Sequence, residues 1–295
     1  MWFSRFRYSL RIIFSVWMLA VVIQSAGRLY LLLTQATPEI YVRYSSDIIK
    51  MFQTGLLFDI RVASIIAAVL LVVALILSVS QRGFLWWRKR FAALATLMSF
   101  IVLWMTVVNV FYYKTYERAI DIFIFGLITD DTKAILVTMW NDYPIVLALL
   151  AICALLVTLY FLFSTLAKKF TVSTHSRPTV LLQATAVLLT VGVIFIGARG
   201  SLDTFPLRES DTQVSEVKLI NMLVPNGLMA LDWAYKDFKR DNVFEPATDE
   251  AGSELLSTFY GQPTEPSLSA FMDKTPTNLY AKKNPPHVVF AVMER

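Results

Sequence analysis

The sequence predicts an all-α polytopic membrane protein built on a bundle of five transmembrane helices. Three observations lead to this prediction. The 295 residues are 56% apolar, whereas soluble globular domains are about 45–50% apolar. The apolar residues are concentrated in five long runs, and the Lys and Arg residues collect in alternate loops between those runs. A single soluble core would not produce this pattern.

Each apolar run contains about 20 residues, which is the length that a helix needs to cross the hydrocarbon core of a bilayer. Backbone polar groups in lipid must pair within their own segment, so the runs are expected to be helices rather than strands. The first run is too long for a cleaved signal peptide and is expected to remain as a span. The predicted spans are 12–33, 62–78, 91–113, 145–166 and 179–198.

The loops on one side of the predicted bundle carry ten basic residues and no acidic residue. Because Lys and Arg are retained on the cytoplasmic side of a membrane, we expect a cytoplasmic N-terminus and an extracytoplasmic tail from residue 199 onward. Residues 1–198 have a net charge of +9 and residues 199–295 a net charge of −4, which argues against a nucleic-acid partner. The ten basic residues are Arg5, Arg7, Arg11, Arg82, Arg88, Lys89, Arg90, Lys168, Lys169 and Arg177.

Three charged residues near the outer end of the predicted bundle are candidate functional residues. Arg28 is expected to extend to the outer interface, and a contact with a lipid headgroup is the alternative. Asp59 and Arg61 are predicted to open the second span. Residues two apart do not share a helix face, so these two should have different neighbours, with Arg28 a candidate partner for Asp59. A structural ion pair and a headgroup site both remain open for them.

The tail begins with a predicted juxtamembrane linker, residues 199–283, that contains amphipathic helices. Apolar residues have helical spacing over 214–223 and again over 228–238, and Asn226 is a candidate cap for the second helix. The second helix is expected either at the membrane surface or packed on a soluble domain. A further helix is expected at 253–259.

The final segment, residues 284–295, is predicted to be a β-strand. Two prolines precede a continuous apolar run, which is typical of a strand buried on both faces of a parallel sheet. Glu294 follows at the carboxyl end of this strand, where ligands bind in open α/β sheets. One strand cannot form a sheet, so we expect the first strand of a domain that is missing because the gene is truncated, frameshifted or cropped.

These features together resemble the N-terminal membrane portion of the lipoteichoic-acid-synthase-like family, the sulfatase-fold phosphoglycerol and phosphoethanolamine transferases. The resemblance rests on the five spans and on three motifs. The motifs are Gly55 with Phe58-Asp59-Ile60-Arg61, Arg199-Gly200-Ser201-Leu202 with Pro206-Leu207, and Pro286-His287-Val288-Val289-Phe290-Ala291-Val292-Met293-Glu294.

The resemblance implies an extracytoplasmic sulfatase-like domain that uses a divalent metal, Mn, Mg or Zn, with Glu294 as one ligand. In such enzymes a threonine attacks a phospholipid, phosphatidylglycerol or phosphatidylethanolamine, and the headgroup passes to an envelope glycan or polymer. A multi-pass protein of the bacterial plasma (inner) membrane is therefore expected. The threonine and the later metal ligands have no counterpart in these residues, and Arg295 replaces a small residue. The chain is expected to be inactive alone and to bind metal weakly.

Two other functions are compatible with the composition. A non-enzymatic integral membrane protein that binds lipid or a partner enzyme is the main alternative. A small transporter is disfavoured, because the spans show no internal repeat and no pair of helices broken by glycine or proline.

Overall fold

The computed structural model describes residues 2–126, 133, 137, 140, 145–170, 179–241, 248–260, 280 and 283. Within these ranges the chain is helical and contains no strand. Its contacts divide it into two compact units, residues 1–240 and 241–295. In the second unit the structure describes helix α9 (Asp249–Tyr260), which confirms the helix predicted at 253–259. The predicted strand at 284–295 lies outside the described residues.

Five helices of the described chain are long and apolar enough to cross a membrane. The short helix α2 (Pro38–Arg43) separates the first two of them. The five are α1 (Trp2–Gln35), α3 (Ser45–Ser78), α4 (Gln81–Tyr116), α5 (Ile145–Lys169) and α6 (Val180–Arg199).

The first three of these helices are longer than the predicted spans. A helix of 34 residues is about 51 Å long, whereas the hydrocarbon core is about 30 Å thick. The largest difference is in α3, which starts at Ser45 although the span was predicted from Val62. Asp59 and Arg61 therefore lie inside a continuous helix and do not open it. The first part of α3 is stabilised by packing, with Met51 and Phe58 fully buried. The hydropathy pattern of the sequence therefore did not predict it.

Helices α1, α3 and α4 form the centre of the bundle, α6 packs against α3, and α5 packs against α4. One apolar core fills the end of the bundle where α1 begins. In this core Phe91 makes edge-to-face contacts with Trp87 and Phe163, which joins α4 to α5. The Tyr8 hydroxyl donates to the carbonyl oxygen of Ala167 at 2.9 Å, so the beginning of α1 lies beside the end of α5.

The helix ends that carry the basic loops meet at this same end of the bundle. Arg5 Nη1 donates to the carbonyl oxygen of Ser78 at 3.1 Å, which ties the start of α1 to the end of α3. The Arg88 guanidinium lies 5.7 Å from the centre of the Tyr8 ring. Arg177 is outside the described residues. The grouping of basic residues on one side, predicted from the loops, thus agrees with the packing of the helix ends.

The opposite end of the bundle is covered by the chain that follows α6. The connector, defined here as residues 200–226, contains a 3-10 turn (Glu209–Thr212) and helix α7 (Lys218–Leu223), and it leads into helix α8 (Gly227–Asp241). Helix α8 is confirmed. The helix predicted over 214–223 begins only at Lys218, because Asn221 Oδ1 accepts from the backbone N–H groups of Val214 and Ser215, both at 2.9 Å, and holds a turn there.

The environment of α7 and α8 is the bundle, and the place of α8 at the membrane surface stays a prediction. The two helices pack against the transmembrane helices themselves. Ile220 and Val224 are fully buried, and the Trp233 ring lies edge-to-face on Phe58 of α3 with centroids 5.5 Å apart. The apolar stripe of these helices is therefore covered by protein from the bundle.

The contact between α6 and α3 gives a test of this packing. A Cβ added at Gly197 would lie 2.3 Å from Ser64 Oγ and 3.0 Å from Ser64 Cβ, whereas a Cβ at Gly192 would meet no atom within 4 Å. We expect Gly197→Leu to lower the free energy of unfolding by about 1–3 kcal/mol through overpacking. Gly192→Leu should have little effect. Thermal unfolding of the purified variants in detergent measures both, and equal melting temperatures would contradict the packing.

Candidate functional site

A buried ion pair joins α1 to α3 at the connector end of the bundle. Arg28 Nη1 donates to Asp59 Oδ2 at 2.7 Å, and Arg28 Nη2 donates to Asp59 Oδ1 at 2.9 Å. The two side chains are 2% and 0% exposed. The pair proposed from the sequence is confirmed. The expected extension of Arg28 to the outer interface is wrong, because a carboxylate within reach and a buried position make the two-pronged pair the better environment for the guanidinium.

The same guanidinium also binds the end of α7. Arg28 Nε donates to the carbonyl oxygen of Leu223 at 2.9 Å, and Arg28 Nη2 donates to that of Val224 at 3.1 Å. The last carbonyl groups of a helix have no partner within the helix, so a cation placed there satisfies them. Arg28 thus fixes the connector to α1 across 195 residues of sequence.

The close approach of Arg28 to α3 requires a glycine. Arg28 Nη2 donates to the carbonyl oxygen of Gly55 at 3.1 Å. A Cβ at residue 55 would lie only 2.4 Å from Arg28 Cζ and Nε, so any larger residue would displace the guanidinium. Gly55 belongs to a motif of the sequence resemblance, and its role in this structure is to make room for the arginine.

Asp59 has two further partners, which extend the network to α8. Asp59 Oδ2 accepts from the Ser25 hydroxyl at 3.0 Å, and Asp59 Oδ1 accepts from Asn226 Nδ2 at 3.2 Å. Asn226 Oδ1 in turn accepts from the backbone N–H of Met229 at 3.0 Å, which confirms the predicted cap of α8. We call Arg28, Asp59, Ser25, Asn226 and their three carbonyl partners the Arg28–Asp59 network.

Arg61 holds the connector at a second point. Its Nη1 donates to the carbonyl oxygen of Leu207 at 2.6 Å. The chain reverses direction at Gly200, between the end of α6 and Leu207. Gly200 has a φ of 77° and lies against the side chains of Leu207 and Arg61. Arg61 and Asp59 therefore have different neighbours, as the spacing predicted. The two motifs that contain Arg61 and Gly200 meet in space.

In this conformation the network joins parts of the chain to one another, and a headgroup contact of Arg28, Asp59 or Arg61 stays a prediction. Arg28 Nε and Nη1 each donate to one oxygen, and the two hydrogens of Nη2 are shared among three, so the guanidinium contacts two carboxylate and three carbonyl oxygens. Both oxygens of Asp59 accept hydrogen bonds, and neither residue is accessible to a lipid headgroup in this conformation. Arg28 and Asp59 are therefore assigned here to anchoring the connector.

The predicted metal ligand, Glu294, lies outside the described residues. Among the residues that the structure does describe, no group of three or more His, Cys, Asp or Glu side chains is arranged to hold a metal ion. The metal therefore stays an expectation from the resemblance.

Sequence reasoning identified Arg28 and Asp59 as a candidate pair and Asn226 as a cap, but not the network that joins them. It found the charges because acidic and basic side chains are rare at such positions. It missed the carbonyl groups of Leu223 and Val224, since a backbone group has no signature in the sequence.

The chain matches no protein-family model, no curated protein and no solved structure.

Removing Asp59 tests the network directly. Asp59→Ala leaves the buried Arg28 charge without its counter-ion, which costs about 3–5 kcal/mol for buried pairs. We expect a large fall in the melting temperature and faster trypsin cleavage in the connector, which carries Arg208 and Lys218. Arg43→Ala is the control, because Arg43 and Glu39 form an exposed pair at 4.0 Å that should contribute at most about 1 kcal/mol. Equal stability and equal cleavage in both variants would refute the network.

Glycine 55 gives a second test in which two physical effects have opposite signs. Alanine is about 1 kcal/mol better than glycine inside an exposed helix, so propensity alone predicts that Gly55→Ala stabilises the protein. The overlap with Arg28 predicts destabilisation instead. Gly192→Ala, at an open position, should be neutral or stabilising. Chemical unfolding curves of both variants decide the sign, and a stabilising Gly55→Ala would show that Arg28 does not need the space.

Proposed function

We propose that the chain is the membrane module of a sulfatase-family transferase. Such an enzyme moves phosphoglycerol or phosphoethanolamine from a phospholipid headgroup to a cell-envelope glycan or polymer. The module would anchor the enzyme in the bacterial plasma membrane, with the N-terminus in the cytoplasm and the connector on the outer side. The 295 residues alone would lack transferase activity.

The observation that carries this proposal is the attachment of the connector to the bundle. Burying a guanidinium and a carboxylate has a desolvation cost that a flexible tether would not incur. The Arg28–Asp59 network and the bond from Arg61 to Leu207 fix the connector at two places. A fixed connector suits a protein in which the position of the outer segment on the membrane matters, as it does when the substrate is a lipid.

The orientation in this proposal follows from the basic helix ends. They meet at the end of the bundle away from the connector, and the retention of Lys and Arg in the cytoplasm would put the connector outside. That side is where a headgroup transfer to an envelope polymer takes place.

The resemblance would give Glu294 the role of one oxygen ligand to a divalent cation, which would polarise the phosphate of the lipid. The residues of the bundle and the connector would bind the lipid, orient its headgroup and support the outer domain. A non-enzymatic membrane protein that binds lipid or a partner enzyme would also benefit from a fixed connector, so the experiment must separate the two.

Deleting the whole gene in its source organism, with any part that encodes residues after Arg295, separates them, and complementation uses that same whole gene. We expect the envelope glycans of the deletion strain to lose phosphoglycerol or phosphoethanolamine substituents, detected by phosphorus-31 NMR and mass spectrometry of the purified glycans. The wild-type gene and the Arg43→Ala variant should restore the substituents. Asp59→Ala should not restore them, even when immunoblots show that the variant reaches the wild-type protein level in the membrane.

Unchanged substituents in the deletion strain would overturn the transferase proposal and favour the non-enzymatic alternative. Full restoration by Asp59→Ala would show instead that a fixed connector is not needed for the activity.

A further inference from the structure

The first part of the connector forms a closed loop at the end of α6. We call residues 200–207 the exit loop. The backbone N–H of Leu207 donates to the carbonyl oxygen of Arg199 at 3.4 Å, so the loop begins and ends at the same place. Arg61 of α3 holds this closure through its hydrogen bond to the carbonyl oxygen of Leu207. The exit loop is therefore fixed to the bundle.

One side chain from the end of α6 also holds the middle of the exit loop. Arg199 Nη1 donates to the carbonyl oxygen of Ser201 at 3.1 Å, and Arg199 Nη2 donates to that of Thr204 at 2.7 Å. The Ser201 hydroxyl accepts from the backbone N–H of Asp203 at 2.9 Å. Because the Arg199 side chain bridges to Thr204, the loop stays within one side-chain length of the end of α6.

The exit loop exposes two large apolar side chains. Leu202 is 83% exposed and Phe205 is 59% exposed. The other Leu, Ile, Val and Met side chains of the connector, all of which the structure describes, are at least partly buried. Exposed apolar side chains that lie close together in a fixed segment mark a contact with another apolar surface.

The length of α6 gives the level of the exit loop in a bilayer. The 20 residues of α6 extend about 30 Å, which equals the thickness of the hydrocarbon core. Arg199, the last residue of α6, therefore lies at the boundary between hydrocarbon and headgroups, and so does the loop that it holds. Phe195 and Ile196 are exposed on the last turns of α6. The apolar side chains of the exit loop thus continue an apolar surface that faces lipid.

We propose that the exit loop inserts Leu202 and Phe205 into the hydrocarbon boundary of the bilayer. The partner is the acyl-chain region of the membrane, whatever the headgroup. The Arg208 guanidinium lies 4.0 Å from the centre of the Phe205 ring and stays at the level of the headgroups. Asp203, between the two apolar residues, keeps the insertion shallow, because a carboxylate is costly inside hydrocarbon.

Insertion adds a lipid contact to the two protein contacts that hold the connector. The loop is already closed by its own hydrogen bonds, so little conformational freedom is lost when it enters the membrane. The inference requires only that α6 spans the bilayer. It does not depend on the transferase assignment, which no outcome of the experiment below affects.

The depth of nitroxide spin labels tests the proposal in the full chain reconstituted into lipid nanodiscs. Cys153 is the only cysteine of the sequence, so Cys153→Ser provides the background for Leu202→Cys and Phe205→Cys. Molecular oxygen concentrates in hydrocarbon, whereas a hydrophilic nickel chelate stays in water. We expect electron paramagnetic resonance to show that both labels collide more with oxygen than with the chelate.

Glu216→Cys in the same background is the matched control, because Glu216 is exposed elsewhere on the connector. The neighbouring Ser215 hydroxyl donates to Asp47 Oδ2 in the first turn of α3 at 2.8 Å. Asp47 precedes Arg61, which binds the exit loop, by about 21 Å of helix. The label at 216 therefore lies well outside the hydrocarbon and should favour the chelate. Melting temperatures check that all labelled variants are folded.

The headgroup is varied to separate acyl-chain contact from phosphate binding. Nanodiscs of phosphatidylcholine and of phosphatidylglycerol should give the same label depths, because the acyl chains make the contact. Insertion that occurs only with the anionic lipid would overturn the proposal, since the basic residues beside the loop would then be responsible.

Two further results would overturn the proposal. One is that the labels at 202 and 205 favour the chelate as the label at 216 does. The other is that neither oxygen nor the chelate reaches them, which would mean that protein covers the exit loop.

Discussion

The burial of Arg28 is the constraint on which the connector end of the structure depends. A guanidinium withdrawn from water is tolerated only when a counter-ion and hydrogen-bond acceptors surround it. Asp59 supplies the counter-ion from α3, and the backbone supplies three carbonyl oxygens from α3 and the end of α7. The acceptors come from α3 and from the end of α7, so satisfying one side chain brings α1, α3 and the connector to one point.

This requirement explains several local choices of sequence. Gly55 is small because the guanidinium lies against its backbone, and Asn226 is an amide because it must donate to Asp59 and accept from the first turn of α8. The apolar residues around the network complete the seal. Met51, Phe58 and Ile220 are fully buried and exclude the water that would weaken the pair.

The sequence predicted the parts of this structure that follow from composition and failed where tertiary contacts decide. The five spans, the cap at Asn226 and the partner of Asp59 could be predicted from hydropathy, capping chemistry and the rarity of intramembrane charge. The early start of α3 at Ser45 could not, because residues before Val62 are held in the helix by packing against the connector. Arg28 was expected at the interface, since the carbonyl groups that receive it lie almost 200 residues further along the chain. Glu294 and the predicted final strand stay predictions.

Hydrogen exchange of the connector amides measures the central claim most directly. Mass spectrometry would follow peptides that cover residues 207–230 in wild-type protein and in Asp59→Ala, with peptides from 84–102 of α4 as an internal reference. If the Arg28–Asp59 network holds the connector on the bundle, the substitution should accelerate exchange in the connector peptides and leave the α4 peptides protected. Equal protection of the connector in both proteins would contradict the account.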